Sequence, residues 1–352
     1  MAKNISGIQQ IGVGVPDVKE AWNWYIDNFN MNIRVFEEKA VAELMLPHTE
    51  GKARERYAAL AINMEGGGGF EIWQHTGKKP IMPETPVQLG DLGICVVKMK
   101  CQNAAACYQD FSKKKLEILG NIAHNPGGSK HFFVKDLYGN IFEFIEESES
   151  FSKRHKNGGV YGAIIGVKNI EESLQVYQDI LGYDEIVYDR KGRFDDTKDI
   201  PGGKEEVRRV LLKHSEPRTG AFAPLLGPTQ IELVEVKSRK PVDIFEGRIW
   251  GDPGFIHICF DVTGMDDLRE ETKEKGFPFT VDSADSFDMG EAAGHFSYIQ
   301  APENTLIEFV ETHKVPIAKK FGWYINLKKR DPHKPLPNYI LKAMGLNKVK
   351  NL

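Results

Sequence analysis

The sequence predicts an α+β protein in which four βαβββ modules form two cupped mixed β-sheet barrels, followed by a C-terminal helical tail. Three observations predict it. WNWYIDNFNMNIRVFEE (22–38) recurs as LQVYQDILGYDEIVYDR (174–190), so that Tyr25 and Asp27 meet Tyr177 and Asp179 at an offset of 152. FVKDLYGNIFEF (133–144) recurs as YIQAPENTLIEF (298–309) at an offset of 165, each a strand, a tight turn and a second strand. Finally, FEIWQ, FEFIEE, IELVEV and IEFVE each set one glutamate between apolar residues: Glu71, Glu143, Glu232 and Glu308.

Each half of the chain thus holds a front and a back module, with halves expected at 5–149 and 158–312 and a tail at 313–352. The first strands superimpose by their period-2 apolar positions, which face the helix, while the intervening positions face the other way. In GIQQIGVGVPDV the apolar set Ile11, Val13 and Val15 turns Gln10 to the opposite face. In GFIHICFDV the set Ile258, Phe260 and Val262 does the same for His257. The repeat puts Gly162 at this place in VYGAIIGVKNI, and the phase Leu92, Ile94, Val96 puts Asp91 there in GDLGICVVKM.

A lone histidine in an apolar strand is ordinarily a core residue bonded to a carbonyl. Four carboxylates at equivalent strand positions, with Gln, Asp and His at the matching first-strand places, point instead to ligands of a divalent ion. Unpaired carboxylates facing a closed cavity are costly. Oxygen-rich donors with one imidazole suit Ni, Co, Zn, Mn or Fe.

The βαβββ repeat, the DLYGNIFEF turn with its glutamate, and the first-strand ligand place resemble the vicinal oxygen chelate superfamily over residues 5 to about 312. That superfamily includes glyoxalase I, bleomycin and fosfomycin resistance proteins, methylmalonyl-CoA epimerase and extradiol dioxygenases. The resemblance implies two modules cupped around one metal, hence room for two sites. Pairing within halves gives Gln10, Glu71, Asp91, Glu143 and Gly162, Glu232, His257, Glu308. Pairing module one with four gives Gln10, Glu71, His257, Glu308, which is the donor set of eukaryotic-type glyoxalase I. It leaves Asp91, Glu143 and Glu232 as a second or degenerate site. The latter pairing is preferred because it concentrates the loss in one site, although dioxygenase-like four-module chains pair within halves.

The resemblance further implies a metal-dependent lyase or isomerase, with Glu308 shuttling a proton beside a chelated carbonyl or hydroxyl. A ring-cleaving or hydroxyphenylpyruvate-type Fe(II) dioxygenase is the alternative, weakened because such enzymes use two first-strand histidines. A metal-free, bleomycin-resistance-like binder of small molecules is a third.

Other features carry less. GGGGF (66–70) lacks a following GK[ST] and leads into a strand, so a flexible hairpin is expected rather than a phosphate loop. His295, Ser297 and Tyr298, and Arg208, Arg209 and His214, are candidate pocket residues. From His313 on, ten lysines and arginines face one acid, Asp331. The spacing of Tyr339, Ile340, Ala343 and Met344 nevertheless reads as a short helix on the body, a lid or a dimer contact.

The net charge of -4, from 46 basic and 50 acidic residues well mixed, gives no footprint for nucleic acid. The opening MAKNISGIQQIGVGV has no leader pattern, and no apolar run approaches a membrane span. A cytoplasmic monomer or homodimer acting on a small molecule is the expectation. Cys95, Cys101, Cys107 and Cys259 fall in no CxxC spacing and read as reduced core residues.

Overall fold

The computed structural model describes residues 3–284, 287–288, 293–318, 323–350 and 352. Module one runs β1 (Asn4–Gly14), α1 (Val18–Phe29), β2 (Ile33–Ala42), β3 (Arg54–Ile62) and β4 (Gly69–His75). Module two runs β5 (Gly93–Cys101), α2 (Ala104–Lys113), β6 (Glu117–His124), β7 (Lys130–Lys135) and β8 (Ile141–Glu146). Module three comprises β9 (Asn157–Gly166), α3 (Ile170–Tyr177), β10 (Glu185–Gly192), β11 (Val207–Lys213), the single turn α4 (Ala223–Leu226) and β12 (Gln230–Val236). Module four comprises β13 (Gly254–Thr263), α5 (Met265–Glu274), the two-residue strands β14 (Val281–Asp282) and β15 (Phe287–Asp288), β16 (Ala293–Gln300) and β17 (Leu306–Thr312).

Local chemistry explains why strand gives way to helix at the same place in modules one to three. Asp17, Asn103 and Asn169 each accept a backbone N–H of the first helical turn, at Glu20, Ala106 and Glu171 respectively. Helix α1 then buries Val18, Ala21, Trp22, Tyr25, Ile26 and Phe29, a stripe at helical spacing.

The sheets cut across the sequence halves. One runs β14-β16-β17-β13-β1-β4-β3-β2, with β15 added on β16, and so joins modules four and one. The other runs β10-β11-β12-β9-β5-β8-β7-β6 and joins modules three and two. The seams are the antiparallel pairs β1·β13, from Asn4↔Thr263 to Gly14↔Gly254, and β5·β9, from Gly93↔Gly166 to Cys101↔Asn157. Each half of the sequence therefore contributes one module to each sheet.

The helices hold the halves together on the other side of the strands. One continuous core takes Ile11, Val97, Ile165 and Ile258 from the four first strands, with Phe29 and Phe111 from α1 and α2. Within that core the Tyr25 hydroxyl donates to Asp136 Oδ2 at 2.7 Å, and the Tyr177 hydroxyl donates to Glu303 Oε1 at 2.5 Å. In both cases a tyrosine on the front module's helix reaches the carboxylate in the back module's turn. Burial, reinforced by the neighbouring carboxylate, pushes both phenols well above their ordinary range, so each remains a donor. The Tyr25/Tyr177 repeat in the sequence is thus a buried hydrogen bond between modules.

The glycine run is pinned, not flexible. Gly67 N–H donates to Leu225 O at 2.9 Å, and Gly68 and Val160 exchange backbone bonds at 2.9 and 2.8 Å, tying the β3–β4 hairpin to β9 of the other sheet. At Gly67, where φ is +102°, a Cβ would lie 2.7 Å from Val160 O.

The tail forms a hairpin, β18 (Lys314–Ala318) with β19 (Trp323–Asn326), and then helix α6 (Asn338–Ala343). Leu336 and Leu341 are buried in a cluster with Ile33, Ile62 and Leu225, so the tail lies on the body. Among the described residues no helix is long and apolar enough to cross a membrane. All four cysteines are buried and free of disulfides.

Replacing Tyr25 or Tyr177 by Phe takes one donor from a buried carboxylate, which keeps its other bonds from Asn140 and Tyr138 or from Ser173. Each variant is expected to lose about 1–3 kcal/mol in urea unfolding at pH 7, with the loss shrinking at pH 4 as Asp136 or Glu303 takes a proton.

Candidate metal centre

Gln10 on β1, Glu71 on β4, His257 on β13 and Glu308 on β17 meet at the floor of the cup formed by modules one and four. The strand faces dictate this: Ile11, Val13, Ile258 and Phe260 enter the helix-side core, which turns Gln10 and His257 into the cup. The parallel partner strands set Glu71 beside Gly12 and Glu308 beside Cys259, each two residues past the first-strand donor. His257 Nε2 lies 3.2 Å from Glu71 Oε2 and 3.2 Å from Glu308 Oε2, while Gln10 Nε2 is 3.3 Å from each of the same oxygens. Donor atoms sharing one ion through bonds of about 2.0–2.2 Å sit roughly 3–4 Å apart, and this set does.

The residues fit a cation on two further grounds. Gln10 Oε1 and His257 Nδ1 are buried with no hydrogen-bond partner among the described residues, and the two ends of an amide are interchangeable in shape. Burial alone would pull the His257 imidazolium down, yet Glu308 and Glu71 outweigh it and carry the group up to about 9. Two carboxylates around a buried ring thus draw positive charge inward.

Gly12 is part of this centre and escaped the reading of the sequence. A Cβ there would stand 2.4 Å from His257 Cε1, so only glycine leaves room for the ring. The signal was the alternation of glycine with valine in GVGV.

Above the donors a cavity of about 420 Å³ is lined by Gln10, Glu71, Glu308, Trp73, Trp250 and Tyr298. Trp73 and Trp250 meet edge-on at 4.6 Å, Trp250 lies parallel to His257, and Tyr298 stands edge-on to His257 at 5.6 Å. Of the three residues singled out on β16, Tyr298 is in the cup. Ser297 faces the helix side and contacts Met265 Sδ at 3.2 Å, and His295 pairs with Asp282 at 2.6 Å.

The cup of modules two and three is built differently. Glu143 and Glu232 converge, but Asp91 does not join them; it binds Arg239 at 2.6 Å and accepts the N–H groups of Gln88 and Val242. Asp91 lies two residues before β5 begins, and a β-bulge between Ile94 and Val96 then reverses the alternation: Ile94 and Val97 face the helices, whereas Val96 faces the cup. By register two residues before Lys98↔Glu143, Val96 takes the ligand place. Gly162 supplies no donor either.

Into this cup the chain inserts its own cations. Lys98 Nζ lies 2.6 Å from Glu143 and 2.7 Å from Glu232, Arg209 Nε 2.6 Å from Glu232, and His131 Nδ1 2.6 Å from Glu143. Asp196 completes the set, 2.8 Å from Arg209 and 3.5 Å from His131. Burial works against the Lys98 ammonium, but the two glutamates overcome it and raise the group above its ordinary value. Burial likewise opposes the His131 cation, and Glu143 with Asp196 lifts it to about 9. Three cations then balance three carboxylates. Arg208, singled out with Arg209, is a surface residue paired with Asp189, and His214 stacks on Tyr183.

Comparison with known proteins divides the chain by its sequence halves and not by its cups. A profile described as the Glyoxalase/Bleomycin resistance protein/Dioxygenase superfamily matches residues 7–144, and a second profile of that description matches 163–296. The chain belongs to this superfamily, the vicinal oxygen chelate proteins. Glyoxalase I from Zea mays superimposes with a TM-score of 0.55 at 13% identity, over 98% of this chain and 96% of that one. A Bacillus subtilis protein proposed to be a dioxygenase gives 0.57 at 13% identity, over 100% and 99%. At such identity the likeness is one of fold. No curated protein sequence matches significantly. Vicinal oxygen chelate proteins usually bind a divalent metal ion, and Glu71, His257 and Glu308 form a group that could hold one.

Removing Lys98 from this vicinal oxygen chelate chain leaves two buried carboxylates face to face. Lys98→Met is expected to cost about 3–5 kcal/mol by denaturant unfolding. For His131, whose folded pKa of about 9 exceeds the ordinary 6.5, the contribution to stability is complete below the ordinary value and disappears as pH rises through about 9. The stability gap between wild type and His131→Gln, measured by urea unfolding, should therefore be larger at pH 6 than at pH 9.5, by roughly 2–3 kcal/mol.

Proposed function

We propose that the protein is a glyoxalase-like, metal-dependent lyase or isomerase with one active centre, at Gln10, Glu71, His257 and Glu308. The observation that carries this reading is the convergence of four donors from two modules beneath a cavity, with Gln10 Oε1 left without a partner among the described residues. Gln10, Glu71, His257 and Glu308 would hold a divalent ion, which would supply Lewis-acid polarisation of a small oxygen-bearing substrate.

The protein's own groups do the rest. Glu308 lines the cavity and is the group to take a proton from a carbon next to the substrate carbonyl and return it to the neighbouring position. His257 is fixed by Gly12 on one side and by the parallel Trp250 ring and edge-on Tyr298 on the other, so its ring cannot turn away. Trp73, Trp250 and Tyr298 wall off water from the reacting carbon. Ring-cleaving dioxygenases instead call for two imidazoles and one carboxylate around iron. Here the place opposite His257 holds the amide of Gln10, which favours proton transfer over oxygen chemistry.

Protein purified without chelator and then soaked with Ni, Co, Mn, Fe or Zn is expected to carry about one ion per chain by mass spectrometry. His257→Ala should lose that ion and His131→Ala should keep it, while Gly12→Ala, by displacing the ring, should weaken binding about 10–100-fold. Less than about a tenth of an ion per chain in wild type would move the protein to the metal-free binders. For the chemistry, metal-loaded wild type should exchange the α-proton of a hemithioacetal or 2-hydroxy ketone with solvent deuterium, read by NMR, and Glu308→Gln should not. Oxygen uptake on the Fe(II) form with catechols or hydroxyphenylpyruvate would defeat the isomerase reading.

A further inference from the structure

A second cavity, of about 380 Å³, adjoins the one above the donors, and Gln9 and Leu60 line both. The two lie along one concave face. On β17, Glu308 and Val310 line the donor cavity and Thr312, at the next alternate position, lines its neighbour. On β3, Leu60 stands directly across from Glu71 in the ladder, and Ile62, two residues on, faces only the second chamber. The second chamber is largely apolar: Val35, Ile62 and Leu225 of the body and Ile340 and Met344 of the tail line it, with Arg34 and Lys314 as its charged residues. Tyr339 and Leu346 sit at its edge and stay exposed, 74% and 87% respectively, which is unusual for residues of that size. The chain's own end does not fill it, because Val349 N–H binds Asn32 O and Leu352 N–H binds Asn23 Oδ1, both at the α1 side of the module.

We infer that the substrate is amphipathic: a head with two vicinal oxygens sits over Gln10, Glu71, His257 and Glu308, and an apolar body passes between Gln9 and Leu60 into the chamber roofed by the C-terminal tail. This rests on the proposed metal centre. The two cavities together have the volume of an ordinary small-molecule site. A wholly polar substrate would leave the apolar chamber wet and unused. An apolar body desolvates it and draws binding energy from each carbon buried. The tail is then a wall of the binding site and not a basic arm.

The test uses the full-length protein loaded with Ni²⁺ and a homologous series of probes, 2-oxobutanoate, 2-oxooctanoate and 2-oxododecanoate, titrated by calorimetry. Affinity is expected to rise with chain length, by at most about fourfold per methylene buried, and then to level off when the chamber is full. Ala343→Trp, which places a large ring in the roof, should draw the affinity of the longer acids down toward that of the four-carbon acid. Affinity independent of chain length, or no binding by any probe, overturns the inference. The metal-free protein separates it from the functional reading. Loss of four-carbon binding on removing Ni²⁺ supports the donor centre whatever the chain-length result, whereas equal binding of the long acids with and without Ni²⁺ keeps the chamber and removes the centre.

Discussion

Everything about the site depends on the antiparallel seam between β1 and β13. Gln10 faces Cys259 and Gly12 faces His257 across it, and each strand carries its own parallel partner, β4 or β17, with the glutamate already in place. A slip of one residue would turn either first-strand donor into the helix core. The seam avoids this with register shifts between Ile5 and Gly7, Ile8 and Gln10, and Gly12 and Val13, which hold Gln10 and His257 on the same face. Gly12 then gives the imidazole the space that a methyl group would occupy. The geometry of the donors is a property of backbone pairing before it is one of side chains.

The two cups show one scaffold answering the same electrostatic problem in two ways. Buried carboxylates brought together by strand pairing repel one another and lose their hydration. Between modules two and three that field is met by covalently attached cations, Lys98 and Arg209, with protonated His131, and no charge is left over. Such a network gains little net stability over apolar packing, but it is costly to break, so it fixes the arrangement of its sheet. Between modules one and four, among the described residues, no lysine or arginine pairs with Glu71 or Glu308; their partners are an imidazole and an amide, both good ligands. One cup is closed by its own charges and serves as a keel, while the other stays receptive.

The sequence carried the fold because four copies of a short pattern repeat the same alternation, and the phase set by Ile11, Phe70, Ile258 and Ile307 on the helix side holds at the neighbouring donors Gln10, Glu71, His257 and Glu308. Asp91 was misplaced because the apolar run Leu92, Ile94, Val96 was set in register five residues too early, and a bulge that changes the phase of β5 leaves no trace in a count of apolar residues. Arg209 was legible as a pocket residue, but Lys98 and His131 were hidden for a related reason. A charged residue in a strand reads as solvent-facing unless its partner is known, and two of these partners, Glu232 for Lys98 and Asp196 for His131, come from module three. The pinned glycine run was legible as a hairpin only, since its tie to β9 depends on how the two sheets approach. The tail's helix showed in its spacing, but the cavity beneath it is shared between segments far apart in the chain.

The β1·β13 seam also sets conditions on biosynthesis. Some 240 residues separate Gly14 from Gly254, so β1 emerges from the ribosome long before its partner exists. At the usual pace of translation the wait is roughly 10–50 s. For that interval β1 is paired on one side by β4 at most and offers an open edge, the kind of surface that recruits strangers. Its composition blunts the hazard: Gly7, Gly12 and Gly14 interrupt the apolar residues and make the strand a poor template on its own. The glycine that admits the histidine ring in the finished protein thus also keeps the nascent chain from committing to the wrong neighbour.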